Sequence, residues 1–289
     1  KGTDKLRADL RRRIAKVKEQ SQQKKGGARR DATYSIDKEG AAQVVLVGPP
    51  NTGKSALVAA LTNANPEVAD FPHSTWKPTP GMAVYENIQF QLVDTPPVAP
   101  NHMDPGMVDL LRRADILALI LDLHGDPLGQ LEDTLTILES LRIYPPGSVI
   151  PADLRKSPFI KKMLIVVNKV DDNRDDEDFE AFVELADVKL PCLGVSALGK
   201  RNLKEVLKVF YDLSEIIRVY TKAPGKEPNF QAPFVLPGGS TLGELAGRIH
   251  KDFVYRMKFA KIWGKSVFDG QMVQKDHGLQ DGDVVEIHA

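Results

Sequence analysis

One short segment carries the residue types and spacing needed to hold a phosphate chain. Residues 48–55 match the pattern G-x-x-x-x-G-K-[ST] between an apolar run and a helical pattern. In such a loop, backbone N–H groups point at phosphate oxygens, Lys54 reaches the β- and γ-phosphates, and Ser55 ligates Mg²⁺. The alternative is a chance match. The predicted phosphate contacts are Gly48, Pro49, Pro50, Asn51, Thr52, Gly53, Lys54 and Ser55.

A second motif has the chemistry to read a nucleobase. Asn168, Lys169 and Asp171 form the pattern N-K-x-D directly after an apolar run. A carboxylate at Asp171 can accept two parallel hydrogen bonds from the N1–H and the exocyclic amine of guanine. Adenine would leave that carboxylate unpaired, which is a strong basis for rejection. The pattern predicts guanine recognition, whereas Asp171 by itself would be one more member of a solvated acidic run.

A third motif supports the same ligand. Ser196-Ala197-Leu198 follows the next apolar run, and a backbone N–H in such a turn can meet guanine O6. Each short match is weak alone. Three matches in this order, each after a predicted strand, predict a guanine nucleotide site.

Two further segments are expected to face the γ-phosphate. Residues 94–97 (Asp-Thr-Pro-Pro) are similar to the pattern D-x-x-G, so Asp94 is expected to bind Mg²⁺ through water. Thr75 is the first candidate ligand of Mg²⁺ and the γ-phosphate, and Thr79 the second; a loop threonine with local hydrogen bonds is the alternative. The predicted metal ligands are Ser55, Thr75 and Asp94, and the predicted catalytic residues are Lys54, Thr75 and Asn51.

Pro97 departs from the D-x-x-G pattern. The N–H of the usual glycine bonds the γ-phosphate, and proline has no N–H. We therefore expect weaker coupling between this segment and the state of the nucleotide. Val98 follows where Ras-type enzymes have the glutamine that orients water, so catalysis must draw on a cation, a partner, or His102 or Asp104 nearby. Either side chain is more simply a loop residue.

Alternating strands and helices would position these motifs. Alternation of this kind predicts an α/β fold with a mostly parallel sheet, helices on both faces and ligands at the carboxyl ends of the strands. Predicted strands are Gln43–Val47, Gln89–Val93, Ile116–Leu121, Met163–Val167 and Leu190–Val195. Predicted helices are Lys54–Leu61, Met107–Arg113, Leu128–Leu141, Asp176–Ala186 and Asn202–Val219.

The N-terminal segment is strongly basic although the whole chain has zero net charge. Residues 1–30 hold twelve Lys/Arg against three acidic residues, a net charge of +9. Residues 4–24 predict a helix with one apolar stripe, formed by Leu6, Leu10, Ile14 and Val17. The basic face predicts a polyanion such as RNA as partner, and the stripe predicts packing on the central domain or on a partner helix. A solvated charged helix is the alternative.

The pattern changes again near residue 222. Residues 222–228 are rich in Pro and Gly and predict a linker, after which residues 231–289 predict a small α+β module. The predicted domains are therefore a basic arm (1–40), a nucleotide-binding domain (41–222) and this module (231–289). One cysteine excludes an internal disulfide, and no apolar run approaches the ~20 residues of a membrane helix. We expect a cytoplasmic protein without a membrane partner.

Together with residues 71–75 (Phe-Pro-His-Ser-Thr), the order of these motifs resembles the Obg branch of the translation-factor-type GTPases, which are P-loop NTPases. Residues 219–222, 233–236 and 281–287 resemble a TGS domain, a small β-grasp-like module. The combination is similar to the developmentally regulated GTP-binding (DRG) family. That resemblance implies GTP hydrolysis coupled to ribosomes or translation. The short stretch after Asp94 lacks the inserted domain of that family.

The resemblance also implies a second cation. In relatives with the pattern P-N-x-G-K-S, the asparagine matching Asn51 helps to hold K⁺, which implies K⁺-stimulated hydrolysis. An asparagine chosen for loop geometry is the alternative. The sequence thus predicts a slow GTPase with Mg²⁺, GTP or GDP and K⁺, associated with RNA or the ribosome. Two rivals remain: a nucleotide-loaded RNA- or ribosome-binding module with negligible turnover, and an RNA-binding protein whose nucleotide site is structural.

Overall fold

The computed structural model describes Tyr34 and residues 36–62, 78–98, 103–187 and 189–288. The predicted N-terminal helix, Thr75 and His102 lie outside these residues. The strands are β1 (Gln43–Val47), β2 (Thr79–Tyr85), β3 (Ile88–Asp94), β4 (Ile116–Asp122), β5 (Ile143–Tyr144), β6 (Phe159–Ile160), β7 (Lys162–Asn168), β8 (Cys192–Val195), β9 (Ile216–Thr221), β10 (Phe234–Pro237), β11 (Phe259–Trp263), β12 (Gln271–Val273) and β13 (Val284–His288). The helices are α1 (Lys54–Leu61), α2 (Pro105–Arg113), α3 (Pro127–Ser140), α4 (Asn173–Ala186), α5 (Leu203–Ser214), α6 (Leu242–Ile249) and α7 (Lys251–Arg256).

The first sheet has six strands in the order β2-β3-β1-β4-β7-β8. All of its pairs are parallel except the β2–β3 hairpin. The central strands are covered on both faces, which explains their continuous apolar runs; Ile116–Leu121 of β4 is fully buried. The predicted α/β fold is confirmed.

Helices cover both faces of this sheet. Leu110 of α2, Leu138 of α3 and Phe182 of α4 belong to one core cluster. Leu57 of α1 and Phe210 of α5 belong to the other. Because β1, β3, β7 and β8 run parallel, the loops after their carboxyl ends meet at one edge of the sheet. That edge carries the predicted nucleotide motifs.

The second sheet has five strands in the order β10-β9-β13-β11-β12 and packs against α6. Strand β9 is the first strand of this sheet along the chain, and it shows that the predicted helix Asn202–Val219 is too long. Helix α5 ends at Ser214, and β9 begins at Ile216. The alternation of period two in β9 buries Ile217 and Val219, whose branched side chains suit a strand. This sheet therefore begins inside the segment assigned to the nucleotide-binding domain, and residues 222–228 connect two of its strands.

The turn between β2 and β3 joins the two sheets. Arg218 of β9 forms ion pairs with Glu86 in this turn and with Asp281. Asn87, the next turn residue, donates a hydrogen bond from Nδ2 to the hydroxyl of Tyr220 at 2.7 Å. The second sheet is thus held against the hairpin that leads to Asp94. Within the described residues, no helix is both long and apolar enough to cross a bilayer.

Candidate functional site

The loop between β1 and α1 has a backbone that only certain residues can adopt. Gly48, Asn51 and Gly53 have positive φ angles of 157°, 63° and 86°. A Cβ atom at Gly48 would lie 2.3 Å from the carbonyl oxygen of Ile120, and one at Gly53 would lie 2.2 Å from the side-chain nitrogen of Asn168. The loop therefore approaches neighbouring strands closely, and its glycines leave the N–H groups at the start of α1 open to an anion.

Lys54 is folded back onto this loop. Its side chain is buried, and Nζ donates hydrogen bonds to the carbonyl oxygens of Gly48 at 3.0 Å and Pro49 at 2.6 Å. Burial lowers the pKa of Lys54 to about 8, and the nearby Asp94 carboxylate only partly offsets this. A buried ammonium group whose hydrogen-bond partners among the described residues are carbonyl oxygens is suited to bind phosphate oxygens.

Ser55 and Asp94 form a pair suited to a hard cation. The Ser55 hydroxyl donates to Oδ2 of Asp94 at 2.5 Å, while the buried Oδ1 has no partner in the part of the chain that the structure describes. Burial raises the pKa of Asp94, against the opposing effects of the Ser55 hydrogen bond and the Lys54 charge. Mg²⁺ prefers oxygen ligands, and an unpartnered buried carboxylate oxygen beside a hydroxyl fits that preference.

The segment after Asp94 is held against the phosphate loop. The Thr95 hydroxyl donates a hydrogen bond to the carbonyl oxygen of Leu46 at 2.5 Å. The N–H of Val98 donates a hydrogen bond to the carbonyl oxygen of Gly48 at 3.3 Å. Pro97 lines a cleft of about 690 Å³ together with Asn51, Lys54 and Ser55. Neither Pro96 nor Pro97 has an N–H, and that of Val98 is engaged, so residues 96–98 offer no free backbone donor to a phosphate.

Asn168 ties the base-reading motifs to the phosphate loop. Its Nδ2 donates to the carbonyl oxygen of Thr52 at 3.0 Å, and its Oδ1 accepts from the N–H of Ala197 at 3.0 Å. Asn168 is buried, and these two hydrogen bonds make its amide a link between the two loops. The N–H of Ala197 is likewise engaged. That of the exposed Leu198 has no partner among the described residues and remains available for guanine O6.

Asp171 presents its carboxylate at the surface in an orientation fixed by its neighbours. Oδ1 accepts a short hydrogen bond from the Ser196 hydroxyl, which itself accepts one from the N–H of Gly199 at 2.7 Å. The N–H of Asp171 donates to Asp175 Oδ2 at 2.7 Å. The exposed carboxylate can accept from a base edge without first being ordered.

Asp122 is a site residue that the sequence interpretation missed. It ends β4 opposite Asn168 of β7, and its carboxylate forms an ion pair with Lys169. Gln130 accepts a hydrogen bond from the Asp122 N–H at 2.8 Å. The position of Asp122 at the carboxyl end of a central strand could have indicated a site residue. Its ion pair with Lys169 could not be predicted, because it depends on the register between β4 and β7.

The structure thus brings four of the predicted segments together. Residues 48–55 and Asp94 lie together at one end, which we call the phosphate end after its predicted ligand, and residues 168–171 and 196–198 lie together at the other, which we call the base end. The two ends are linked through Asn168. Thr75 belongs to a segment that the structure does not describe.

Comparison with known proteins gives this site its identity. A family described as 50S ribosome-binding GTPase matches residues 43–169, and the TGS domain matches residues 217–289. An uncharacterized GTP-binding protein of Methanocaldococcus jannaschii is 30% identical to this chain and aligns over 99% of it and 88% of the relative. The chain belongs to this family of GTP-binding proteins. Developmentally-regulated GTP-binding protein 1 of Xenopus laevis is 26% identical over 96% of the chain and 91% of its own length.

Both parts of the predicted resemblance are therefore confirmed. The TGS match begins at residue 217, inside β9, in agreement with the second sheet. The alignment with the M. jannaschii GTP-binding protein spans 346 positions, more than the 289 residues of this chain, so it contains gaps in this chain.

Solved structures share the fold of this family. The YchF GTPase of Schizosaccharomyces pombe has a TM-score of 0.57 at 13% identity, covering 87% of this chain and 99% of that one. A GTP-binding protein from Pyrococcus horikoshii has a TM-score of 0.53 at 17% identity, covering 86% and 99%.

Proposed function

We propose that this GTP-binding protein hydrolyses GTP to GDP and phosphate, slowly and with stimulation by K⁺. The observation that carries the proposal is the buried Asp94 Oδ1 beside Ser55 and Lys54, which has no hydrogen-bond partner among the described residues. Lys54 and Asp94 are buried, Ser55 is half-buried beside them, and buried charged groups are costly unless partners of opposite charge complete them. A nucleotide triphosphate with Mg²⁺ supplies the missing partners.

The residues divide the work of hydrolysis. Mg²⁺ held by Ser55 and Asp94 would neutralise charge on the β- and γ-phosphates. Lys54 releases the carbonyl oxygens of Gly48 and Pro49 and donates to the terminal phosphates, and the N–H groups of the loop hold the phosphates for in-line attack. Thr75 is the proposed further ligand of Mg²⁺. Val98 is apolar and buried, so it cannot orient the attacking water, which is the reason to expect slow turnover.

K⁺ is the proposed source of additional positive charge. Asn51 is exposed, lines the phosphate cleft and would hold the cation beside the phosphates. Its positive φ is compatible with the geometric alternative, because Asn tolerates the left-handed conformation.

Steady-state hydrolysis tests this proposal. Rates are measured in KCl and in NaCl at equal ionic strength, for the natural chain and for Asn51→Gly. Glycine keeps the left-handed backbone but removes the amide, so the K⁺ stimulation should disappear in this variant. Equal rates in both salts, or K⁺ stimulation that persists in Asn51→Gly, would contradict the role of Asn51.

A specific observation favours a second candidate function, a nucleotide-loaded binding module with negligible turnover. Pro97 has no N–H, and that of Val98 is bonded to Gly48, so the usual signal of the γ-phosphate has no donor here. Tight binding of GTP and GDP without turnover in either salt would support this module over the enzyme. Turnover that is lost in Lys54→Ala would support the enzyme.

We further propose that the protein acts in the cytoplasm on RNA or ribosomes. The net +9 of residues 1–30, the matched TGS domain and the family description as ribosome-binding support this. Binding to phosphates releases counterions, so RNA affinity should fall steeply between 50 and 200 mM salt, on the order of a thousandfold for six contacts. An RNA affinity that is the same with and without bound nucleotide would instead favour an RNA-binding protein whose nucleotide site is structural.

A further inference from the structure

An apolar groove lies between α3 and α4, beside the segment that follows Asp122. Its cavity of about 430 Å³ is lined by the side chains of Leu123, Leu128, Ala181, Phe182 and Leu185, among others. Leu185 is 68% exposed. We call this surface the α3–α4 groove. None of its lining residues is among the predicted nucleotide contacts.

The helices that flank this groove are strongly acidic. Together α3 and α4 carry nine carboxylates and a single basic residue, Arg174. Glu177, Asp178, Glu180 and Glu184 are exposed on α4, and no described residue forms an ion pair with them. An apolar groove with a dense negative rim fits an occupant that is amphipathic and basic.

Such an occupant is present in the same chain. Residues 4–24 carry most of the basic charge of the N-terminal segment and predict a helix with one narrow apolar stripe. We propose that this segment docks in the α3–α4 groove of its own chain, with its stripe on the groove and its basic residues against the carboxylates of α4. Residues 4–24 carry eight basic and three acidic residues, a net charge of +5, which is opposite in sign to the net −8 of the two helices.

The start of the described chain lies on the correct face of the sheet. Tyr34 and Ile36 pack on the core cluster that includes α2, α3 and α4. Tyr34 approaches Gly106 in the first turn of α2, where an added Cβ would lie 2.9 Å from it.

The connecting residues are long enough to reach the groove. Arg112 of α2 donates a hydrogen bond to the carbonyl oxygen of Leu141, the residue that follows α3, so these helices are neighbours. Packed helices lie about 10 Å apart, so the groove is about 20 Å from α2. Residues 25–33 can span up to about 30 Å.

Docking would have a consequence for the basic residues themselves. A segment neutralised by α4 cannot offer the same side chains to a polyanion at the same time. The groove would therefore compete with RNA for this segment.

Disulfide cross-linking in the full chain tests the proposal. Leu10→Cys is combined with Leu185→Cys in the groove, and the matched control combines Leu10→Cys with Phe268→Cys, whose side chain is 87% exposed in the TGS domain. Burial raises the pKa of the natural Cys192 to about 12, so this thiol reacts slowly. Under a mild oxidant, the groove pair should cross-link within one chain at least about tenfold faster than the control pair, because docking raises the effective concentration.

A charge reversal distinguishes docking from chance encounter. Glu184→Lys on α4 should slow the groove cross-link, whereas Glu205→Lys, on α5 at the other face of the sheet, should leave it unchanged. High salt should slow the groove pair more than the control pair. Nucleotide binding by each variant verifies that it is folded.

Three outcomes would overturn the proposal. Equal rates for the groove and control pairs would show a segment without a preferred site. Cross-links between two chains would assign the groove to a second copy. Equal effects of the two charge reversals would exclude the acidic surface as the cause.

Discussion

The two ends of the nucleotide site are built in different ways. At the base end, Asn168 satisfies both atoms of its amide within the protein, and Ser196 fixes the Asp171 carboxylate. At the phosphate end, Lys54 rests on carbonyl oxygens and Asp94 keeps a buried oxygen without a partner among the described residues. The base end is preorganised, whereas the phosphate end is completed by its ligand. Specificity should therefore reside in the first and most of the binding energy in the second.

Removal of the Lys54 ammonium should have the largest effect. In Lys54→Ala we expect hydrolysis to disappear and GDP affinity to fall about 100-fold, since charge-assisted hydrogen bonds each contribute roughly 1.5–3 kcal/mol. Titration with a fluorescent nucleotide measures the loss, with Lys208→Ala on α5 as control. The nucleotide-free variant should be no less stable, because burial disfavours the charged lysine. An unchanged affinity would contradict the assignment of the phosphate end.

Asp171→Asn tests whether the base end confers specificity. An amide offers one acceptor and one donor in place of two acceptors, so GDP affinity should fall about 10- to 100-fold. Xanthine, with a carbonyl where guanine has its exocyclic amine, should be bound better than by the natural chain. Competition between GDP and XDP measures both changes. Asp172→Asn is the control at the adjacent position, because the Asp172 carboxylate caps α4. Equal losses of GDP affinity in both variants would contradict recognition of guanine by Asp171.

Pro97→Gly should change the response to the γ-phosphate without touching the base end. It restores the N–H of the D-x-x-G pattern, and one hydrogen bond to a charged group should raise the preference for GTPγS over GDP about tenfold. Pro96→Gly is the matched control, with the same gain of flexibility one residue earlier. The measurement is the ratio of the affinities for GTPγS and GDP. A strong preference for GTPγS in the natural chain would contradict the idea that Pro97 removes the response to the γ-phosphate.

The smallest effect concerns pH. In the free protein the pKa of Lys54 is about 8, and bound phosphates must raise it. Binding above pH 8 therefore takes up a proton, and affinity should be highest below pH 8 and fall as the pH rises through it. The stability of the nucleotide-free protein should change in the opposite direction. Because the pKa of Lys54 is lower in the folded chain than in the unfolded chain, its contribution to the free energy of unfolding rises as the pH increases from 8 to about 10.5. Calorimetry in buffers of different ionisation enthalpy measures the uptake, which Lys54→Ala should abolish.

The base end and the phosphate loop were predictable because each is set by a local pattern next to an apolar strand. Residues 48–55 fix their own backbone through glycines, and β4 is apolar throughout because both faces are covered. The partner of Lys169 was not predictable, since it depends on the register between β4 and β7. The bond between Val98 and Gly48 likewise depends on tertiary contact rather than on either sequence segment.

The segment after α5 was predicted wrongly for a different reason. Short apolar runs such as residues 216–220 suit a helix or a strand, and only the pairing of β9 with β10 and β13 decides between them. The Pro- and Gly-rich stretch at 222–228 marked a turn within the second sheet rather than a boundary.

The place of β9 has a practical consequence for anyone who divides this protein. A chain cut within residues 222–228 would keep β9 and remove its neighbours β10 and β13. Two unpaired strand edges would then be open to other molecules, which is a known route to aggregation. A cut at Glu215, where the chain turns through a positive φ of 51° between α5 and β9, would leave the strands of each sheet together. Such a pair of fragments should be the better starting point for separate expression of the two domains.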